Sequence, residues 1–252
     1  APVTGLTGDL AKWKEPQKDV ALAYSDSNLR GRYLTSDGWK PLEPGYSVAP
    51  LTDQKITKVP AGTFGPELAF GRTMADALKP AGGHVAIIKF AEGGTSLQKD
   101  WGVGEKAKLY DQMIQFITKS LGELKDRGDT SDVKGFVWHQ GESDSTESQA
   151  TYAGLLTDLI THVRHDLQPY RGTPAATELP VVIGEVFDNG QRNTIIAAQK
   201  QVAKDLPACA LAPSTGLNTL DNGTHFDAPS QLELGKRMAD AMQKLLQPKS
   251  HP

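Results

Sequence analysis

The sequence has 252 residues, with 27 lysines and arginines against 30 aspartates and glutamates, and a formal net charge of -3. This length suits one α/β domain, and the near-neutral charge argues against a nucleic-acid-binding protein, which normally carries a basic excess. No apolar run approaches the roughly 20 residues of a membrane span, and the single cysteine, Cys209, excludes a disulfide within the chain.

The first part of the chain, up to residue 60, is rich in proline, glycine and threonine, which predicts long loops. Within it, the apolar run at residues 19–24 predicts a short strand, and residues 39–42 predict another. Because neither an internal repeat nor an interdomain linker is evident, we predict one domain over residues 1–252.

After residue 60, short apolar runs alternate with helical patterns. Such runs are typical of strands that are buried on both faces of a parallel sheet. The predicted strands are residues 84–90, 133–139, 180–187 and 208–211, and the predicted helices are residues 64–78, 106–127, 148–167, 197–206 and 229–246. This alternation indicates an α/β fold that is built from right-handed βαβ units.

The first of three polar clusters, residues 91–97, follows the predicted strand at residues 84–90. Its glycines, Gly93 and Gly94, leave room for backbone N–H groups to face a ligand without a Cβ in the way. Open α/β sheets bind their ligands at this end of the strands. A plain tight turn is the alternative interpretation.

The second cluster, residues 138–144 (WHQGESD), also follows a predicted buried strand, where polar groups cost desolvation unless they are paired or used. His139, Glu142 and Asp144 suggest a metal site at first sight, but their spacing matches none of the established zinc patterns. The alternative is a turn in which Ser143 or Asp144 is the N-cap of the next helix. Such a turn can still direct Gln140 toward a substrate.

The third cluster, residues 221–227, precedes the last predicted helix. An acid such as Asp221, placed shortly before His225, can orient the imidazole and stabilise its protonated form during general-base catalysis. The alternative is a surface Asx turn with an incidental histidine. The chain has no P-loop, no G-x-G-x-x-G after a strand and no G-x-S-x-G, which argues against a dinucleotide-binding protein and an ordinary α/β-hydrolase.

Together the three clusters resemble the SGNH hydrolase superfamily, and within it the sialate O-acetylesterase-like group that includes the acetyl xylan esterases of carbohydrate esterase family 6. The most specific match is WHQGESD at residues 138–144. Further matching stretches are residues 64–68 (FGPEL), 89–97, which end in GGTSL, and 224–235 (THFDAPSQLELG). The resemblance extends over residues 39–245.

The resemblance implies a three-layer α/β/α sandwich with a central parallel sheet, the flavodoxin-like SGNH hydrolase fold. It also implies an esterase that removes acetyl groups from sugars without a metal or an organic cofactor. By resemblance, a backbone N–H of Gly94 and the side-chain amide of Gln140 stabilise the oxyanion, and His225 is the general base. For Glu142 two roles stay open: a helper acid, and a residue that holds its own loop.

The chain departs from the family pattern at the acid that partners His225. The family places this acid three residues before the histidine, where this chain has Asn222, whereas Asp221 lies four residues before it. An asparagine cannot carry the charge that stabilises imidazolium, and Gly223 can let the turn absorb the additional residue. We therefore predict that Asp221 is the acid.

The second departure concerns the nucleophile, which in the family is the serine of a Gly-Gln-Ser-Asn-Met motif at the end of the first strand. This motif is absent, and in the closest string Ser27 follows Ser25 and Asp26 where the motif has glycine and glutamine. An interior strand cannot be deleted without leaving two rows of backbone groups unpaired. Because the chain begins with Ala1 and not with Met, we expect the strand and its serine upstream of Ala1, with Ser27 as the weaker candidate.

We therefore expect a serine esterase that deacetylates carbohydrate, such as acetylated xylan or sialic acid, through an acyl-enzyme. Trp39 and Trp101 are candidates for lining a sugar site, with packing as the alternative. The rival hypotheses are a non-catalytic carbohydrate-binding or interaction protein and an esterase for other acyl groups on the same fold. We expect neither a nucleic-acid nor a membrane partner. The oligomeric state is left open, and a secreted or periplasmic location rests on the family analogy alone.

Overall fold

The computed structural model describes residues 1–28, 32–46, 62–103, 108–172, 178–221 and 223–247. Within these ranges the strands are β1 (Gln17–Asn28), β2 (Arg32–Thr35), β3 (Lys40–Leu42), β4 (Val85–Gly93), β5 (Phe136–Trp138), β6 (Val181–Gly184) and β7 (Cys209–Ala212). The α-helices are α1 (Glu67–Leu78), α2 (Leu97–Asp100), α3 (Leu109–Asp126), α4 (Gln149–Leu167), α5 (Asn193–Asp205) and α6 (Ala228–Leu246). None of these helices is both long and apolar enough to cross a membrane.

The strands form two hydrogen-bonded sheets. In the first sheet, β2 and β3 pair antiparallel with different parts of β1, and β4 runs parallel to β1. In the second sheet, β5, β6 and β7 are parallel and lie in that order. The predicted α/β class with parallel strands is confirmed. The strands of the expected central sheet are divided between these two sheets, since no ladder joins β4 to β5 within the described ranges.

The side chains of β6 show that helices cover both faces of the second sheet. Val181 and Ile183 belong to the hydrophobic core beneath α3, α4 and α5, whereas Val182 belongs to the core beneath α1 and α6. Successive side chains of a strand point to opposite faces. The helices therefore form two outer layers, α3–α5 on one side and α1 with α6 on the other.

The burial of β4 differs from the sequence prediction of a strand that is buried on both faces. None of its nine residues is fully buried, although its apolar side chains Ile87, Ile88 and Phe90 pack against the cores. In the described part of the chain, β1 is the strand that pairs with β4, and β6 is the strand that pairs with β5. Each of these two strands thus has one open edge, and the prediction holds for β6 but not for β4.

The predicted elements after residue 60 are all present, with shifted ends. The largest shift is at α5, which begins at Asn193 and not at residue 197. Sequence patterns missed β2 and α2, because elements of four residues show too few repeats of a period to be recognised. The predicted loops of the first part contain the 12-residue β1, and the short strand predicted at residues 19–24 is its centre.

Candidate active site

The structure brings the three polar clusters together at the carboxyl ends of β4, β5 and β6. The side chain of Gln140, which follows β5, donates a hydrogen bond of 3.1 Å to the carbonyl oxygen of Thr95, which follows β4. The ring of His139 lies 6.0 Å from the ring of Phe226, which is next to His225. The cluster at residues 138–144 therefore adjoins both the cluster at residues 91–97 and the cluster at residues 221–227.

Asp221 holds His225 through both of its carboxylate oxygens. Oδ2 accepts the imidazole Nδ1–H, while Oδ1 accepts the backbone N–H of His225 at 2.9 Å and that of Thr224 at 2.8 Å. An ionised carboxylate can accept hydrogen bonds but cannot donate them. Nδ1 therefore carries the proton, and Nε2 keeps its lone pair. Among the described residues no group is hydrogen-bonded to Nε2. This nitrogen is therefore the position from which the imidazole can accept a proton.

The surroundings of Asp221 keep it ionised. Burial acts to raise its pKa, but the hydrogen bonds from the His225 backbone, the His225 ring and the Thr224 backbone together lower the pKa below its usual value. The carboxylate thus stays charged throughout the pH range in which imidazoles ordinarily titrate. The side chains of both partners are partly exposed, at 44% for His225 and 42% for Asp221, so a ligand can reach the pair.

The turn between Asp221 and His225 depends on glycine. Gly223 has a φ of 88°, a region that side chains rarely adopt, and a Cβ at this position would lie 2.5 Å from Cβ of Asn189. The turn in which the acid lies four residues before the histidine is thus formed as the sequence predicts. Asn222, the family's position for the acid, lies outside the described residues.

Gln140 uses both of its amide hydrogens within the protein. Nε2 donates to the Thr95 carbonyl at 3.1 Å and to Oδ2 of Asp144 at 2.5 Å, and Oε1 lies 3.3 Å from the Tyr152 hydroxyl, which shares its one hydrogen with the main-chain carbonyl of Gln140. The reversed amide orientation is disfavoured because it would set Oε1 against the carboxylate, which can only accept. In this arrangement, a ligand oxygen can accept a hydrogen bond from Nε2 of Gln140 only if it replaces the Thr95 carbonyl or the Asp144 carboxylate as the acceptor.

Asp144 ties the loop after β5 to the loop after β4. It is 1% exposed, and besides Gln140 it accepts the backbone N–H groups of Leu97 at 2.9 Å and Gln98 at 3.3 Å, at the start of α2. The alternative that Ser143 or Asp144 caps the following helix is wrong, because Ser148 caps α4. Asp144 therefore holds the loop at residues 138–144 in place.

Glu142 lies on the same loop, in a short 3₁₀ turn (Glu142–Asp144). Its Oε1 lies 3.9 Å from Nε2 of His139, and Nδ1 of His139 is hydrogen-bonded at 3.0 Å to the carbonyl of Gly184. Glu142 thus faces the histidine of its own loop. His139, Glu142 and Asp144, whose spacing matches none of the established zinc patterns, are not arranged around a common point, since Asp144 turns toward α2.

The loop after β4 contains Gly94 in a conformation that favours glycine. Gly94 has a φ of 82°, and Thr95 fixes the turn, because its Oγ1 donates to the Glu92 carbonyl at 2.8 Å and accepts the indole N–H of Trp101 at 3.1 Å. Trp101 is 4% exposed, so it has a packing role and does not line a sugar site. The indole N–H of Trp39 also has a partner within the protein, since it donates a hydrogen bond of 3.1 Å to the carbonyl of Ser120.

Ser27, the weaker candidate for the nucleophile, lies within β1 and not in a turn. Its backbone is opposite Tyr33 of β2 on one edge and Glu92 of β4 on the other. This placement differs from that of a serine in a tight turn after a strand, which is the position that the family pattern requires.

Sequence reasoning missed two side chains that support Gln140. The Tyr152 hydroxyl and the Gln199 amide donate to the main-chain carbonyl of Gln140 at 2.7 Å and 3.0 Å, and Gln199 also accepts the backbone N–H of Val186 at 3.1 Å. Gln199 is fully buried on an otherwise apolar helix face. A buried amide on such a face is the signal that could have identified it, because buried polar groups need partners.

We expect Asp144→Ala to lower the free energy of unfolding by about 3 kcal/mol, because it leaves the buried N–H of Leu97 and the partly buried donors of Gln98 and Gln140 without this acceptor. Urea unfolding followed by circular dichroism measures this loss. Glu147→Ala, in the same segment, is the control, since no hydrogen bond of its side chain is described; we expect a change within about 0.5 kcal/mol. Equal stability of the two variants would contradict the tying role of Asp144.

The chain was compared with families and solved structures. A family described as "Carbohydrate esterase, sialic acid-specific acetylesterase" matches residues 17–244. A protein from Arabidopsis thaliana has a similar structure, with a TM-score of 0.67 and 22% identity over 92% of this chain and 83% of that chain. The comparison with curated proteins gives no significant match.

A second similar structure is described as a novel carbohydrate acetylesterase from Xanthomonas citri. Its TM-score is 0.58, and its identity is 19% over 95% of this chain and 52% of that chain, so this chain spans about half of its length. The family match includes all three polar clusters and confirms the resemblance inferred from the sequence. The chain thus belongs to the carbohydrate esterase family of sialic acid-specific acetylesterases, and it is an ester hydrolase with an α/β fold.

Proposed function

We propose that the protein is a serine esterase that removes O-acetyl groups from carbohydrate through an acetyl-enzyme. The Asp221–His225 pair carries this proposal. The carboxylate fixes the proton on Nδ1, and Nε2 is left as a proton acceptor on a partly exposed ring. The family description and the carbohydrate acetylesterase from Xanthomonas citri support an acetylated sugar as the substrate.

In the proposed reaction, His225 Nε2 takes the proton of a serine hydroxyl while the serine oxygen bonds to the acetyl carbonyl carbon. The tetrahedral intermediate then collapses, and the sugar oxygen leaves with the proton from the imidazolium. A water molecule attacks the acetyl-enzyme in the same way and releases acetate. No metal or organic cofactor takes part in this scheme.

The proposed donors to the oxyanion are the backbone N–H of Gly94 and the side-chain amide of Gln140. Gln140 is already in contact with the loop that contains Gly94. For Gln140 to donate, the substrate oxygen has to replace the Thr95 carbonyl as the acceptor. The loss of one such donor costs on the order of 100-fold or more in rate. We assign Glu142 the secondary role of orienting His139, which leaves Asp221 as the acid of the reaction.

We propose that the nucleophilic serine lies on a strand upstream of Ala1, which completes a single esterase domain with residues 1–252. Two features of the described residues support this proposal. β4 and β5 each have an open edge, and the apolar side chains of β4 are only partly covered. A parallel strand added at either edge would end near Gly94 and Gln140, because the carboxyl ends of parallel strands meet at one side of a sheet.

The test is made on the protein expressed with the residues that its gene encodes before Ala1. Acetate release is measured from acetylated xylan oligosaccharides and from O-acetylated sialic acid, and a fluorophosphonate probe labels the nucleophile for peptide mapping. We expect acetate release and a label upstream of Ala1, with both retained in Ser27→Ala. A label on Ser27 would refute the upstream position. Sugar binding without acetate release or labelling would favour a non-catalytic carbohydrate-binding protein.

A further inference from the structure

Arg192 is a buried cation whose described hydrogen-bond partners are all uncharged. It directly precedes α5 and is 5% exposed. Its guanidinium donates to the carbonyl oxygens of Phe187 at 3.4 Å and of Gly223, and to the Thr224 hydroxyl at 3.1 Å. Within the described ranges no carboxylate forms an ion pair with it.

The stability of the fold does not by itself explain Arg192. A buried charge costs desolvation that hydrogen bonds to neutral groups offset only in part, and among the described residues Nε of Arg192 has no hydrogen-bond partner at all. An apolar side chain of similar length would fill the same space without this cost. The contacts of the guanidinium therefore point to a role in placing the groups that it binds.

Those groups belong to the turn that contains the Asp221–His225 pair. The far end of this turn is anchored independently, because Phe226 is 3% exposed and Asp227 caps α6 through the N–H of Ser230 at 2.9 Å. At the near end, Arg192 joins Gly223 and Thr224 to the segment that follows β6.

A continuous series of contacts runs from Arg192 to the imidazole. The Thr224 hydroxyl accepts from Arg192, and the Thr224 backbone N–H donates to Oδ1 of Asp221 at 2.8 Å. The other oxygen of Asp221 holds Nδ1 of His225. If Thr224 moves, Asp221 loses one of the donors that fix its carboxylate, and the direction of the imidazole is no longer set.

We propose that Arg192 is a positioning residue for the general base, which sets His225 through Thr224 and Asp221. This inference rests on the proposed function, in which His225 takes the proton from the nucleophile. Arg192 does not contact the substrate in this role, so its removal affects the chemical step and not substrate binding.

The chain offers a matched control at the opposite end of the same sheet. Arg164 also donates to main-chain carbonyls, those of Leu179 at 3.2 Å, Pro207 at 2.5 Å and Ala208 at 3.4 Å. These residues precede β6 and β7, so they lie at the amino ends of the strands, whereas the polar clusters lie at the carboxyl ends. Nε of Arg164 also lies 3.7 Å from a carboxylate oxygen of Glu178, so loss of Arg164 tests the general effect of removing an arginine that binds main-chain carbonyls.

In the esterase assay we expect Arg192→Met to lower kcat on the order of 100-fold with little change in KM, because a small displacement of a catalytic group costs about this much. We expect the kcat of Arg192→Lys to lie between those of the wild type and Arg192→Met. Added guanidinium ion is expected to restore part of the activity of Arg192→Met. Arg164→Met is expected to lower the melting temperature and to leave kcat unchanged. Equal kcat values in Arg192→Met and Arg164→Met would overturn the proposal.

A second measurement does not depend on turnover. Proton NMR follows the Nδ1–H of His225, which we expect to give a hydrogen-bonded resonance in the wild type and in Arg164→Met, and to lose it in Arg192→Met. If esters are not hydrolysed at all, the proposed function fails, but this resonance still decides the role of Arg192. If Arg192→Met does not fold, Thr224→Val replaces it, since it removes only the hydroxyl that Arg192 binds. A resonance that persists in the folded variant would refute positioning by Arg192.

Discussion

His225→Ala is expected to lower kcat for the hydrolysis of acetyl esters by at least about 1,000-fold, with the fold retained. The reason is that Nε2 of His225 is the proton acceptor of the Asp221–His225 pair, while Nδ1 is held by the carboxylate. Without the imidazole, the serine hydroxyl has no base, and the sugar oxygen has to leave without a proton. Acetate release at saturating substrate measures the loss, and circular dichroism measures the fold.

The control for this prediction is His165→Ala. His165 also pairs with an aspartate through Nδ1, at 2.8 Å from Oδ1 of Asp166, but it lies on the surface of α4, outside the three polar clusters. We expect this variant to keep the wild-type kcat. If both variants retained activity, His225 would not be the base. If both lost it, the loss in His225→Ala would not report on the chemistry of the pair.

Two of the three polar clusters could be predicted from the sequence because polar residues after buried strands stand out from their apolar surroundings, and the third because it places an acid shortly before a histidine. The requirement for a charge favours Asp221 over Asn222 as the partner of His225, and the structure pairs these two side chains, while their roles in catalysis stay predictions. Arg192 and Tyr152 could not be found in this way, and the one signal for Gln199 is its place on an apolar helix face, which does not reveal its partner. Their acceptors in the site include main-chain carbonyls, which any residue supplies, so no pattern of residue types marks the contact.

The role of Asp144 shows a second limit of sequence reasoning. The residue stands before a helix, and its type suits an N-cap, which made the next helix the obvious partner. In the structure it binds the first turn of α2, whose residues lie more than forty positions earlier in the chain. A local pattern can show that Asp144 needs hydrogen-bond donors. It cannot show that the fold supplies them from Leu97 and Gln98.

The α/β class could be predicted from the sequence, but which strands pair with each other could not. The apolar run of β4 has the composition of a strand buried on both faces, yet its residues are only partly buried. Periodicity tells which residues form a strand, whereas the number of neighbouring strands depends on the rest of the sheet. The partly covered β4 and its open edge are for this reason a finding of the structure, and they support the proposal of a further strand.

Asp221→Asn is expected to lower kcat on the order of 1,000-fold, although the new side chain has almost the same shape. Its amide oxygen can still accept the N–H groups of Thr224 and His225, but its NH₂ group then faces Nδ1 of the imidazole. That contact favours the tautomer in which Nδ1 accepts a hydrogen bond and Nε2 carries the proton. A protonated Nε2 cannot take the proton of the nucleophile, so the rate falls while substrate binding is retained.

The double variant Asp221→Asn/Asn222→Asp tests the position of the acid directly, because it moves the carboxylate to the family's place. We expect it to stay as slow as Asp221→Asn, since both oxygens of Asp221 are committed to the turn and to the ring. Wild-type activity in the double variant would show that a carboxylate at residue 222 suffices, and would contradict the assignment of Asp221.

Stability against pH gives an independent check on Asp221. Its pKa is lowered in the folded protein, since the hydrogen bonds from His225 and Thr224 outweigh the opposing effect of burial. A lowered carboxyl pKa stabilises the fold above the unfolded value of about 3.9, and this contribution is lost as the pH falls through the folded value. The wild type should thus exceed Asp221→Asn in stability at neutral pH, modestly because the carboxylate is 42% exposed, and the difference should shrink in acid. A difference that does not change from pH 7 to pH 2 would mean that Asp221 is not held as an anion by the turn.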